Sequence, residues 1–188
     1  GPHVMHLLKK AGTIDIKMLC PLHGPVWREN IPYLLDKYVH WATYEPEEKG
    51  VVVAYASMYG NTEAAAQALA SKLCEKGMSN THVSYLISET FRLSHVVLAS
   101  VTYNLGIYPV MYGFLQDMKA LNLQKRTVAI VENGSWACKS GDLMQKFLDD
   151  EMKGITVLNE RLSLASSLGE GKEAELDALA NAILASMQ

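Results

Sequence analysis

VVVAYASMYGNT, residues 51–62, runs from an apolar stretch through a hydroxyl- and glycine-rich turn into an alanine-rich helical pattern, AAAQALA at 64–70. A strand, a turn and a helix N-terminus in that order make an anion site. Unpaired amides at the start of a helix, with the positive end of its dipole, hold a phosphate without a basic side chain. No Lys or Arg lies in this turn. Ser57, Tyr59, Asn61 and Thr62 supply hydroxyl and amide donors around Met58, and Gly60 permits close backbone approach or a positive φ. The turn is suited to a terminal phosphate. Two better-known phosphate loops are ruled out by spacing: neither GxxxxGK[ST] nor GxGxxG is present.

Downstream of this turn the chain reads as alternating strands and helices. VVVAY at 51–55 is a buried strand, followed by a helix to about Gly77 in which Ala66, Leu69, Ala70 and Leu73 recur at helical spacing. THVSYLI at 81–87 reads as a second strand and HVVLAS at 95–100 as a third, its continuous apolar run implying burial on both faces. Pro109 opens a helix to about Leu121, TVAIVEN at 127–133 is a fourth strand, and Asp142–Met152 is a further helix. TVLNERLSLAS at 156–166 reads as a fifth, interrupted strand, and Leu176, Leu179, Ala180, Ile183, Leu184 and Met187 mark a last amphipathic helix. Such alternation implies right-handed crossovers and a doubly wound parallel sheet with helices on both faces. Ligands bind such sheets beyond the carboxyl ends of the strands. The loops after the first, third and fourth strands should therefore converge.

Those three loops are SMYGNT, SVTYNLG at 100–106 and ENGSWACKSG at 132–141. Tyr59, Tyr103 and Trp136 stand among Asn61, Asn104, Asn133, Gly106 and Gly134, a set suited to a planar ligand. Aromatic rings can cover its faces, while loop amides with Thr102, Asn104 and Ser135 meet a polar edge. His82 and His95 border strands and read as surface or packing residues, and Cys138 reads as a small buried hydrophobe.

At 188 residues, 49% apolar and 20% charged, the chain suits one globular domain with an appendage. A net charge of −3 and a pI near 6.1 argue against general nucleic-acid binding, and no long apolar run suggests a membrane span. Cys20, Cys74 and Cys138 form neither a disulfide framework nor a CxxC motif, so a reducing cytoplasm is expected. The opening GPH reads as an expression scar.

The order Ser-x-x-Gly-x-Thr after a first buried strand resembles the flavin mononucleotide (FMN) loop of flavodoxins. SMYGNTE, the SxTYN segment and ENGSWA resemble, in order, the three flavin loops of the flavodoxin-like domain of flavodiiron proteins. The resemblance covers residues 50–188, with Val101 where that family commonly has Pro. It implies a flavodoxin-like five-stranded sheet of order 2-1-3-4-5. It also implies FMN held by Ser57, Met58, Tyr59, Gly60, Asn61 and Thr62, by Thr102, Tyr103, Asn104 and Leu105, and by Glu132, Asn133, Gly134, Ser135 and Trp136. Glu132, if near the ring, is expected to make reduction harder.

IDIKMLCPLHGPVWREN, at 14–30, resembles the end of the metallo-β-lactamase-like domain that precedes the flavodoxin domain in the same family. Residues 1–45 are read as the scar and this remnant, an N-terminal helical appendage, and 46–49 as a linker. In the family the histidine matching His23 is an iron ligand; the other ligands are absent here, so no diiron centre is expected. Ile31, Leu34, Leu35, Tyr38 and Trp41 share one face of a helix from Asn30 to Trp41, with Pro32 in its first turn. The resemblance implies the electron-transfer module of an oxygen or nitric oxide reductase, supplied by rubredoxin or a rubredoxin reductase, and a possible homodimer. The alternatives are an NAD(P)H-dependent quinone reductase of the same fold and a non-flavin signalling module. The lack of carboxylates at Tyr55–Ser57 and Ala99–Val101 weighs against a phosphoryl receiver.

Overall fold

The computed structural model describes residues 1–74 and 83–188. Two N-terminal helices, α1 (Pro2–Ala11) and α2 (Ile31–Thr43), lead into β1 (Glu48–Ala56) and α3 (Asn61–Cys74). Then follow α4 (Val83–Arg92), β2 (Leu93–Tyr103), the two-residue β3 (Gly106–Ile107), α5 (Pro109–Ala120), β4 (Arg126–Asn133), α6 (Ser140–Glu151) and β5 (Ile155–Leu164). A short 3-10 turn, Glu170–Lys172, precedes α7 (Glu173–Ser186).

The sheet runs β1-β2-β4-β5, all parallel, and β3 folds back antiparallel on β2. These four parallel strands are the first, third, fourth and fifth of the expected order, and the fold is flavodoxin-like. The expected interruption of the fifth strand is a shift of register between Val128 and Ile130 in the β4 to β5 pairing. The expectation for 81–87 is corrected: residues 81 and 82 lie outside the described residues, and 83–87 begin helix α4. The expected end of the preceding helix, near Gly77, and His82 also lie outside the described residues. Helix α1 includes Pro2 and His3 of the stretch read as a scar and was not anticipated.

Alternation along each strand divides the core between two faces. Val52, Ala54, Val96, Leu98, Val128 and Ile130 face Met111, Leu115, Met118, Met144 and Leu148 of α5 and α6. Val51, Val97, Ala99, Val131 and Leu162 face Ala65, Ala66 and Leu69 of α3 with Leu176, Leu179 and Ile183 of α7. Small residues on α3 let it lie close to the sheet. The apolar stripe of α2 is only partly covered: Ile31 is buried while Tyr38 and Trp41 remain exposed.

Arg126, 1% exposed at the start of β4, joins the appendage to the sheet domain. Its guanidinium donates to the carbonyls of Thr90 (2.6 Å), Phe91 (2.6 Å), Tyr44 (2.7 Å), Gln124 (2.9 Å) and Lys125 (3.0 Å). Thr90 and Phe91 end α4 and Tyr44 caps α2, so one cation closes the negative ends of two helices. Burial lowers its pKa to about 10, which leaves it charged at neutral pH. Asn122 donates to the Tyr44 hydroxyl at 3.0 Å, Lys125 pairs with Glu45, and the Glu47 amide donates to the Arg92 carbonyl at 2.9 Å. Residues 44–47 are thus fastened along their length.

His95 is buried at the start of β2, with Nδ1 2.7 Å from Ser94 Oγ and Nε2 3.1 Å from Ser186 Oγ of α7. Burial pushes its pKa below the ordinary value. The folded state then takes up this proton less readily than the unfolded chain. The resulting stability is complete above about pH 6.5 and is lost as pH falls through the lowered folded value. His95→Gln should flatten the acid-side slope in urea melts below about pH 6.5. An unchanged slope would take His95 out of this account.

Candidate functional site

The carboxyl ends of β1, β2, β4 and β5 are in register, with Ser100 beside Glu132, Val101 beside Asn133, and Asn133 beside Leu164. The loops that leave them meet along one edge. Only Ser57–Gly60 separate β1 from α3. Gly60 has φ +84°, and a Cβ there would meet nothing within 4 Å, so glycine is selected by conformation and not by crowding. Ser57 Oγ accepts the Gly60 amide at 3.0 Å, and the Ala64 amide starts the helical ladder on the Gly60 carbonyl at 2.8 Å. Among the described residues, no acceptor is found for the amides of Asn61, Thr62 and Glu63. Tyr59 stands 86% exposed beside them, and Met58 is also exposed.

The second loop is a tight hairpin. Thr102 pairs with Ile107 and Tyr103 with Gly106, leaving Asn104 (φ 49°) and Leu105 (φ 58°) as the two turn residues. Two successive positive φ values define a type I′ turn, natural for Asn and costly for Leu. The turn presents Tyr103 and Leu105 outward, with Tyr103 steadied edge-on by Tyr108 at 5.8 Å.

The third loop spans residues 134–139, because β4 extends to Asn133 and α6 begins at Ser140, earlier than expected. Trp136 is 99% exposed at its tip. The Gly134 amide donates to the Leu164 carbonyl at 3.0 Å and anchors the loop's base.

Several polar candidates face inward. Thr102 Oγ1 accepts the amides of Lys139 and Ser140, each at 3.0 Å, and so closes the N-terminus of α6. Buried Glu132 accepts the Gly141 amide at 2.9 Å and the Ser163 hydroxyl at 2.7 Å, with Arg161 3.6 Å away. Its carboxylate thus serves the α6 N-terminus, Ser163 and Arg161. Cys138 lies beside it, its Sγ 3.8 Å from the Leu164 carbonyl; burial first and Glu132 second push the thiol up to about 12. That sulfur stays protonated and inert at neutral pH. The α6 N-terminus is filled by side chains, whereas that of α3 is open.

Ser166, after β5, was not singled out by sequence, yet it bonds to both Asn61 and Asn133. His23 is exposed, and among the described residues no group of three or more His, Cys, Asp or Glu side chains could hold a metal ion. A cleft lined by Trp27, Tyr33, Trp41 and Phe91 lies away from the loops, near the starts of β1 and β2.

Comparison with known proteins supports the same reading. The sequence pattern of the flavodoxin family matches residues 53–184. A rubredoxin-oxygen oxidoreductase of Megalodesulfovibrio gigas is 30% identical over 162 residues, which are 79% of this chain and 40% of that protein. An anaerobic nitric oxide reductase flavorubredoxin of Klebsiella pneumoniae is 23% identical over 147 residues, 73% of this chain and 30% of that protein. The solved rubredoxin oxygen:oxidoreductase of Desulfovibrio gigas superposes with a TM-score of 0.85 at 24% identity, covering 99% of this chain and 48% of that one. The similarity to flavodiiron proteins is thus strong in both sequence and fold, and the chain spans two fifths or less of these two curated relatives.

Proposed function

The chain belongs to the flavodoxin family, and on that premise we propose that it binds FMN without a covalent bond at the carboxyl edge of its sheet and carries electrons. The observation that supports this most is the open, cation-free N-terminus of α3 beside two loops with exposed aromatic tips. The residues present fit the group. The amides of Asn61, Thr62 and Glu63 and the hydroxyls of Ser57, Tyr59 and Thr62 supply neutral donors for a phosphate monoester. Met58, Tyr103, Leu105 and Trp136 supply apolar walls, and the backbone of Asn104, Gly134 and Ser135 supplies polar groups for a ring edge. Thr102 and Glu132 hold these loops to α6 from within.

When bound, FMN supplies one- and two-electron transfer. The chain's own contribution is to grip the phosphate without neutralising it and to keep water from the ring faces with its aromatic side chains. The names of the relatives extend the proposal. This chain is the electron-carrying part of a flavodiiron oxygen or nitric oxide reductase, receiving electrons from a rubredoxin-type donor. Residues 1–45 are assigned to an expression scar and the end of a metallo-β-lactamase-like domain and 46–49 to the joint, of which Glu48 and Lys49 already belong to β1.

Gel filtration after incubation with FMN tests the binding claim. About one FMN per chain should elute with the protein and show a flavin spectrum. Flavin eluting wholly in the small-molecule volume would overturn it.

A further inference from the structure

Side-chain amides join three loops at the carboxyl edge of the sheet. Asn133, 4% exposed, donates through Nδ2 to Thr62 Oγ1 at 3.3 Å and to the Ser166 carbonyl at 2.7 Å. Asn61 Nδ2 donates to Ser166 Oγ at 3.3 Å. Both hydrogens of the Asn133 amide are therefore engaged, which leaves it no donor for a ligand. Thr62, 1% exposed, receives one of them. A hydroxyl oxygen that accepts from one side turns its single hydrogen elsewhere. No acceptor for the Thr62 hydrogen is found among the described residues.

We propose that Asn133 and Ser166 are positioning residues for the phosphate monoester, which makes the loop after β5 a fourth part of the flavin site. Asn133 turns the Thr62 hydroxyl hydrogen toward the anion, and Ser166 holds the Asn61 amide so that its second hydrogen faces the same space. Neither residue needs to touch the flavin ring. The proposal rests on the flavin reading of the site and makes a separate claim about how donors are aimed. In a site without a cation, aim matters more, because binding comes from several neutral donors that must point inward together.

Fluorescence titration with FMN and with riboflavin, which lacks the phosphate, separates aiming from general loop structure. Asn133→Ala should weaken FMN about tenfold or more while riboflavin changes less than about twofold. Thr62→Val should do the same, and the double variant should be no weaker than Thr62→Val by more than about twofold, since both remove one donor. Ser166→Ala, an exposed change that leaves the core intact, should lower FMN affinity a few-fold and leave riboflavin unaltered. Equal losses for both ligands, additive losses in the double variant, or an unchanged FMN-to-riboflavin ratio in Ser166→Ala would overturn the proposal. If Asn133→Ala does not fold, the Thr62→Val and Ser166→Ala titrations decide. If the unmodified protein binds neither flavin, the flavin reading fails first and this inference falls with it.

Discussion

Arg126→Leu should lower the melting temperature by about 10 °C, the equivalent of about 4 kcal/mol at about 2–4 °C per kcal/mol for a chain of this size. Five carbonyl oxygens converge on that guanidinium, and the residue is almost wholly buried. Leucine fills much of the volume and satisfies none of them, and each unpaired buried acceptor costs about 1–3 kcal/mol before relaxation. Relaxation should recover part of that sum, because the Gln124 and Lys125 carbonyls lie in a loop. Arg126→Lys should recover only a minor share, since an ammonium cannot reproduce a planar fork spread over two helix ends. The appendage should also loosen, exposing the chain after Tyr44 to limited proteolysis. A melting temperature within about 2 °C of the unmodified protein would show that these carbonyls find other partners.

Ser57→Asp is the second large expectation. The aspartate can still accept the Gly60 amide that Ser57 Oγ accepts, so the turn keeps its shape. It also places a full negative charge where the phosphate is proposed to lie. Two unit charges about 4 Å apart near a protein surface repel by about 4 kcal/mol, so FMN affinity should fall about a hundredfold or more. Riboflavin affinity should move less than about threefold, and added salt should shrink the FMN loss by screening. Equal loss of both ligands would mean that the turn had been damaged; no loss of either would place the phosphate elsewhere.

The parts of the fold visible in the sequence were those set by local pattern. VVVAY, the VVLA of HVVLAS and the VAIV of TVAIVEN run apolar because both faces of a parallel strand are covered, and each is a strand here. The segment from 83 was misread from a short window. THVSYLI alternates well enough for a strand, but Val83, Leu86, Ile87, Thr90 and Phe91 step at helical spacing once the window reaches 91. Tyr59, Tyr103 and Trp136 were legible as aromatics carried at the strand ends, and all three stand exposed there. The inward roles of Thr102, Glu132 and Asn133 were not legible. Each depends on a partner 9 to 71 residues away, whose position only the folded sheet supplies. Ser166 was hidden for the same reason, since its partners Asn61 and Asn133 come from two other loops.

Titrating the protein into FMN while following flavin fluorescence, with a thermal melt at saturation, tests the central claim most directly. The account predicts quenching that saturates near one FMN per chain, a melting temperature raised by ligand linkage, and weaker binding of riboflavin. FMN fluorescence that stays unquenched, with a melting temperature that does not move, would contradict it.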